Sequence, residues 1–149
     1  MSDAASEITC LKNTDRVACD AGPIIAIAHS RDQYHRSCVD SIADIRLPMF
    51  TVWPVIVEAY YFLERIGGPA DIVFHWLQAG HLRLIDLKPP DIRRMRQLIR
   101  KYSSLPMDFA DAALVVGCER AKIHRVFTVD RRDFMIYRPS HIAQFEIIP

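Results

Sequence analysis

Long apolar runs are missing from this chain of 149 residues. The longest, such as Ala112–Val116, fall far short of the ~20 residues a helix needs to cross a bilayer, so no membrane association is expected. No charged-then-apolar leader opens the sequence, which makes the cytoplasm the expected location. An excess of one charge is missing too. Nineteen Lys and Arg against 18 Asp and Glu leave a net +1. No global field then gathers polyanions, and a nucleic acid would need a local basic patch. Cys10, Cys19, Cys38 and Cys118 are scattered with no C-x-x-C pair, which argues against a zinc or disulfide framework. The histidines lack an H-E-x-x-H spacing, and His35 with Cys38 is a weak metal signal alone. Neither G-x-x-x-x-G-K-[ST] nor G-x-G-x-x-G occurs, so these two nucleotide-cradling loops are absent.

What is present suits one soluble domain: half the residues are hydrophobic and a quarter charged. Residues 1–14 are polar or small without a clear period and read as a flexible N-terminal extension, leaving 15–149 as a single domain. Val17–Cys19 reads as a buried strand, followed by a turn at Asp20–Gly22 and a helix with Pro23 in its first turn. A polar helix is expected near Asp32–Ile45, a strand at Met49–Val52, and a helix from Pro54 to the glycine pair Gly67-Gly68. Ala70–Ala79 and Asp91–Tyr102 read as helices, with a strand at His81–Asp86 between them. A nearly all-apolar helix over Asp108–Ala121 precedes strands at Arg125–Val129 and Phe145–Ile148. Strands alternating with helices predict an α/β domain with a central, mostly parallel sheet.

The acids fall in telling places. Asp20 ends the first strand, Asp130 follows R-V-F-T-V, Glu58 lies early in the helix after the second strand, and Asp111 opens the apolar helix. Open parallel sheets bind ligands beyond the carboxyl ends of their strands. Structural duties compete for each acid. Asp20 would also suit a turn before Gly22-Pro23. Asp108 reads as the N-cap of its helix, with Asp111 placed well for the helix dipole. Asp130 and Asp133, in D-R-R-D-F, could pair with Arg131 and Arg132 on a surface loop. Glu58 has the weakest structural explanation, since it would share an apolar stripe with Val55, Ala59, Phe62 and Ile66.

A cluster of these acids needs a cation. Two unit charges ~4 Å apart repel by about 4 kcal/mol at an effective dielectric of roughly 20. Oxygen donors without thiol or imidazole partners favour Mg²⁺ or Mn²⁺. Such an ion generates a nucleophile from water and stabilises charge at phosphorus. With no triphosphate loop, metal-assisted hydrolysis of a phosphodiester is the chemistry left.

Asp20-Ala-Gly-Pro after a strand, the helical Glu58, Asp111-Ala-Ala-Leu-Val-Val and Thr128-Val-Asp130-Arg-Arg-Asp133-Phe134 together resemble the motifs of PIN-domain ribonucleases, including VapC-like toxins of toxin–antitoxin modules. The resemblance runs from Val17 to the C-terminus, with the motifs in the family's order. It implies a three-layer fold with a mostly parallel central sheet flanked by helices, Mg²⁺ or Mn²⁺ dependence, and cleavage of single-stranded RNA. Asp20, Glu58, Asp111 and Asp130 would form the acidic quartet, Asp133 an auxiliary metal ligand, and Thr128 the hydroxyl that positions the site. It also implies a homodimer and an antitoxin partner covering the acidic cleft. One departure stands out: Gly22 sits where many members carry Ser, Thr or Asn.

Beyond the quartet, Arg131 and Arg132 adjoin the acids and could hold RNA phosphates. So could the run Arg93, Arg94, Arg96, Arg100 and Lys101, although a solvated helix face explains it equally well. Trp53, Tyr60 and Tyr61 read as core or interface residues. Two rival readings are a catalytically silent interaction module of the same fold and an aspartate-based phosphatase or receiver domain. The phosphatase pattern requires an Asp two positions after the nucleophile, where Gly22 stands.

Overall fold

A computed structural model describes residues 12–149. Most of the expected flexible extension, residues 1–11, and Cys10 with it, lies outside the described residues. A single 3-10 turn spans Asn13–Asp15.

Strands and helices then alternate. β1 (Val17–Cys19) leads into α1 (Ala21–Ala28) and α2 (His35–Ile42), and β2 (Met49–Thr51) into α3 (Trp53–Arg65) and α4 (Ile72–Gln78). β3 (Leu82–Leu84) precedes α5 (Asp91–Lys101) and α6 (Phe109–Ala121). β4 (Arg125–Phe127), α7 (Arg131–Ile136) and β5 (Glu146–Ile148) complete the chain. The five strands form one sheet in the order β3-β2-β1-β4-β5, parallel at every pairing, with helices flanking it. Each expected element is present, most of them trimmed at the ends. Two differences have clear causes. α2 begins at His35 because the Asp32 carboxylate takes the Tyr34 N–H at 2.8 Å and holds a turn there. The D-R-R-D stretch belongs to α7 rather than to a surface loop, because Phe134 is fully buried and packs edge-on against Tyr137.

β1 is buried along its length and sits in the middle of the sheet, which fixes the site. Strand order runs outward from β1 through β2 to β3, then reverses to β4 on its other side. That switch opens a crevice at the carboxyl ends of β1 and β4, the usual ligand position of such sheets.

α6 crosses the core beside this crevice. From Ala110 to Glu119 every residue is buried, as a helix apolar on all sides must be. It packs against α3 on one side and α5 on the other. Asp108 caps its start, accepting the Asp111 N–H at 2.8 Å. Lys122, at φ 57°, ends it in the left-handed conformation, and the Ile123 N–H returns to the Cys118 carbonyl at 3.0 Å.

Candidate active site

β1 delivers Asp20 to the crevice. As the N-cap of α1, it accepts the Ala21 N–H at 2.8 Å through one carboxylate oxygen. Its other oxygen accepts the Thr128 hydroxyl at 2.8 Å. That hydroxyl in turn accepts the Asp130 N–H at 3.0 Å. Thr128 is fully buried just past β4, so one side chain orients the Asp20 carboxylate and the backbone of Asp130 across the central seam. α6 brings Asp111, buried in its first turn, where the Tyr137 hydroxyl donates to it at 3.0 Å.

Burial and mutual charge act together here. Desolvation first, then the charges of Asp108 and Asp130, raise the Asp20 carboxyl to about 6, against the pull of its Thr128 and Ala21 hydrogen bonds. Desolvation, then Asp20 and Asp108, push Asp111 to about 8, with the Tyr137 bond opposing. Asp130 is raised by desolvation and then by Asp133. Glu58 is raised by desolvation, then by Asp108 and Asp20. Because Glu58 is exposed at the rim, the direction of its shift, toward the neutral acid, is what its surroundings support.

The placement of Glu58 corrects the sequence expectation. The buried stripe of α3 is Val55, Ile56, Ala59 and Leu63, while Phe62 and Ile66 are 46% and 40% exposed. The helix is rotated so that Glu58 leaves the core and borders the cleft. Asp133 stands intermediate in exposure beside Asp130, at the outer margin. Arg131 and Arg132 are exposed on α7, and the Arg132 charge acts on Asp130. Arg94 leaves the proposed phosphate stripe: its guanidinium grips Glu119 at 2.8 to 3.2 Å. His35 is likewise spoken for, its ring 2.7 Å from the Ala26 carbonyl.

One participant escapes a reading of the sequence: Tyr137 gives no local signal, because only the fold brings it to Asp111. Asp108, legible as a cap, also raises Glu58 through its charge. The Gly22 departure has a steric cause, since a Cβ there would run into the Val129 γ-methyl. A side chain at position 22 would require the Val129 side chain to shift, while the Val129 backbone stays at ordinary contact distance.

The donors suit a hard cation. Among the described residues, ion pairs go to Asp71, Asp86, Asp91, Glu119 and Glu146, and none to Asp20, Glu58, Asp108, Asp111, Asp130 or Asp133. Buried carboxyls raised by one another without a cationic partner lack a counter-charge. Among the same residues no three acids are gathered tightly enough to hold one ion directly. Asp20 and Asp111, the buried pair, are the residues that could hold a divalent cation with water in its remaining positions.

Comparison with known proteins bears on the family and the fold. Residues 17–138 match the PIN domain family model. "Ribonuclease VapC26" of Mycobacterium tuberculosis (strain ATCC 25618 / H37Rv) is 29% identical over 136 residues, spanning 87% of this chain and 98% of that protein. The crystal structure of M. tuberculosis VapC20, described as a toxin that cleaves the sarcin–ricin loop, superposes with a TM-score of 0.69 at 16% identity. That superposition covers 78% of this chain and 91% of VapC20, and it shows the shared fold. With the family model spanning most of the chain and the parallel sheet in agreement, this protein belongs to the PIN domain family.

Proposed function

We propose that this PIN-domain protein is a metal-dependent endoribonuclease of the VapC type, hydrolysing phosphodiester bonds of single-stranded RNA as the toxin of a toxin–antitoxin pair. The observation that carries the reading is a pair of buried carboxyls, Asp20 and Asp111, at the sheet's switch point with no ion-pair partner among the described residues and further acids at the rim. The relative named as a ribonuclease supports it.

When bound, Mg²⁺ or Mn²⁺ supplies Lewis acidity toward water and toward the phosphoryl oxygens. Asp20 and Asp111 would hold the ion, with Glu58 and Asp130 completing its surroundings and Asp133 holding water at the margin. Thr128 and Tyr137 fix the orientation of Asp20 and Asp111. Water attacks phosphorus in line, and Glu58, a carboxylate at the rim of the cleft, takes up its proton. The products carry 5′-phosphate and 3′-hydroxyl ends. Arg131 and Arg132 are placed to hold phosphates beside the acids. The expected location is the cytoplasm, and no helix among the described residues is long and apolar enough to cross a membrane.

Partners follow from the surface beside the site. Trp53, Val57, Tyr61 and Phe109 are each more than half exposed and line a groove of about 570 Å³ with Glu58 and Asp108. An apolar patch that ends in acids suits an antitoxin segment with apolar anchors and a basic tip.

The direct test is cleavage of a fluorescent single-stranded RNA with Mg²⁺, Mn²⁺ or EDTA. Asp20→Asn, Glu58→Gln, Asp111→Asn and Asp130→Asn should each lower the rate by about a hundredfold or more, on the scale expected for removing a group that stabilises transition-state charge. Asp108→Asn should keep most activity, because Asn also caps helices. Wild-type cleavage that persists undiminished in EDTA would sink the reading.

A further inference from the structure

We infer that the outer face of α5, turned away from α6, is a binding track for the sugar-phosphate backbone of single-stranded RNA. The inference rests on the ribonuclease reading and extends it to how substrate is held away from the scissile bond.

The helix divides its residues sharply. Met95, Leu98 and Tyr102 are buried against the core. Arg93, Arg96, Gln97 and Arg100 fall within about 100° of one another around the axis, at 100° per residue, and all are exposed. With Pro89, Pro90 and Ile92 they line an open hollow of about 700 Å³ on this one face. The acids able to neutralise this helix are engaged elsewhere. Glu119 takes Arg94, and Asp91 takes Arg120 at 2.9 Å. Among the described residues no acid pairs with Arg93, Arg96 or Arg100. Three guanidiniums of one sign then line one hollow of a nearly neutral protein, the local patch that a polyanion requires here.

The Arg94–Glu119 and Asp91–Arg120 pairs fasten the start of α5 to the end of α6. At the other end, the Tyr102 ring lies 5.2 Å from the Tyr137 ring, and Tyr137 donates to Asp111. The two helices are antiparallel, and Arg100 is the member of the stripe nearest the acids. From Arg93 to Arg100 the axis rises about 10 Å, enough to meet more than one phosphate of an extended strand. Guanidiniums suit this work, since their planar donors bond phosphate oxygens in pairs. Three exposed arginines without base-reading partners bind the backbone and not sequence.

The test is equilibrium binding of fluorescent oligouridylate to the full chain in EDTA, which stops cleavage, over a range of salt. The variant Arg93→Gln/Arg96→Gln/Arg100→Gln should bind roughly tenfold or more weakly at low salt, with the log K against log salt slope shallower by about 2, since each phosphate contact on a single strand contributes ~0.7. A matched loss of three exposed charges, Arg31→Gln/Arg36→Gln/Arg46→Gln, should leave slope and affinity near wild type. Equal affinity and slope in wild type and the α5 variant overturn the track. Equal losses in both triple variants overturn it as well, because net charge is then sufficient. Tighter binding of duplex RNA than of the single strand overturns the substrate assigned to it. If the wild type cleaves no RNA but its binding still depends on these arginines, the track stands and the hydrolytic reading falls.

Discussion

Tyr137 lies beyond the end of a six-residue helix, buried with Phe134 and Tyr102 around its ring, and spends its hydroxyl on Asp111. Phe134 and Tyr102 hold the ring whether or not the hydroxyl is there. Tyr137→Phe therefore separates packing from orientation. Groups that orient a metal-holding carboxylate are commonly worth 10- to 100-fold in metal affinity, so the Mg²⁺ concentration for half-maximal activity should rise by roughly tenfold. The melting temperature in EDTA should hardly move. A variant that loses stability in EDTA yet keeps its Mg²⁺ midpoint would make Tyr137 a packing residue alone. Individual residues were unevenly legible in the sequence. Asp20, Asp111 and Asp130 announce themselves by interrupting apolar or strand-end stretches. Tyr137 and the Arg94–Glu119 pair do not, because their partners are 26 and 25 positions away and only tertiary packing joins them.

Among the elements, α6 carries a buried acid near each end, and the two ends are treated oppositely. Glu119 is surrounded by donors: burial opposes its charge, but the Arg94 guanidinium and the Ser140 N–H together hold it below the usual carboxylate range. Asp111 has a single neutral donor and three acids acting on it. Neutralising each should move stability in opposite directions. Glu119→Gln leaves a guanidinium without its charge partner and should cost about 2 kcal/mol, less than for a fully buried pair because Arg94 is about a third exposed. Asp111→Asn removes repulsion at constant volume and should raise metal-free stability. Urea titrations in EDTA of the two variants check the signs, and destabilisation by both would show that Asp111 is not under repulsion. This element was also the most legible at its own scale. A run as apolar as Ala112–Cys118 has to be buried on every side, and its cap was readable in Asp108. The rotation of α3 was less legible, since a wide apolar stripe at helical spacing leaves open which edge faces the core.

For the whole molecule, these charges set how stability follows pH. A carboxyl raised in the folded state binds its proton where the unfolded chain has already lost it. Its contribution is complete below the ordinary value of 3.8 and is lost as pH rises through about 6 for Asp20 and about 8 for Asp111. Glu119, held low, contributes in the opposite sense, and its share disappears as the solution is acidified through its lowered range. Metal-free protein should thus melt higher near pH 5 than near pH 8.5, and added Mg²⁺ should shrink the difference by favouring the ionised acids. Thermal unfolding with and without EDTA across this span measures it, and Asp111→Asn should flatten the decline. A metal-free melting temperature that rises steadily to pH 8.5 would contradict the clustering. Assembly belongs to the same scale. Trp53, Val57, Tyr61 and Phe109 expose apolar rings and chains beside one cleft, the kind of patch that marks an interface. A homodimer is expected, and light scattering at micromolar concentration should give twice the 17.1 kDa of one chain.

The close approach of Gly22 to Val129 ties two distant stretches of the gene to one another. A serine arriving at position 22 would meet the valine methyl before it could reach any ligand. A new rotamer of Val129, or a shorter residue there, would make the room, so what position 22 can carry is decided at position 129.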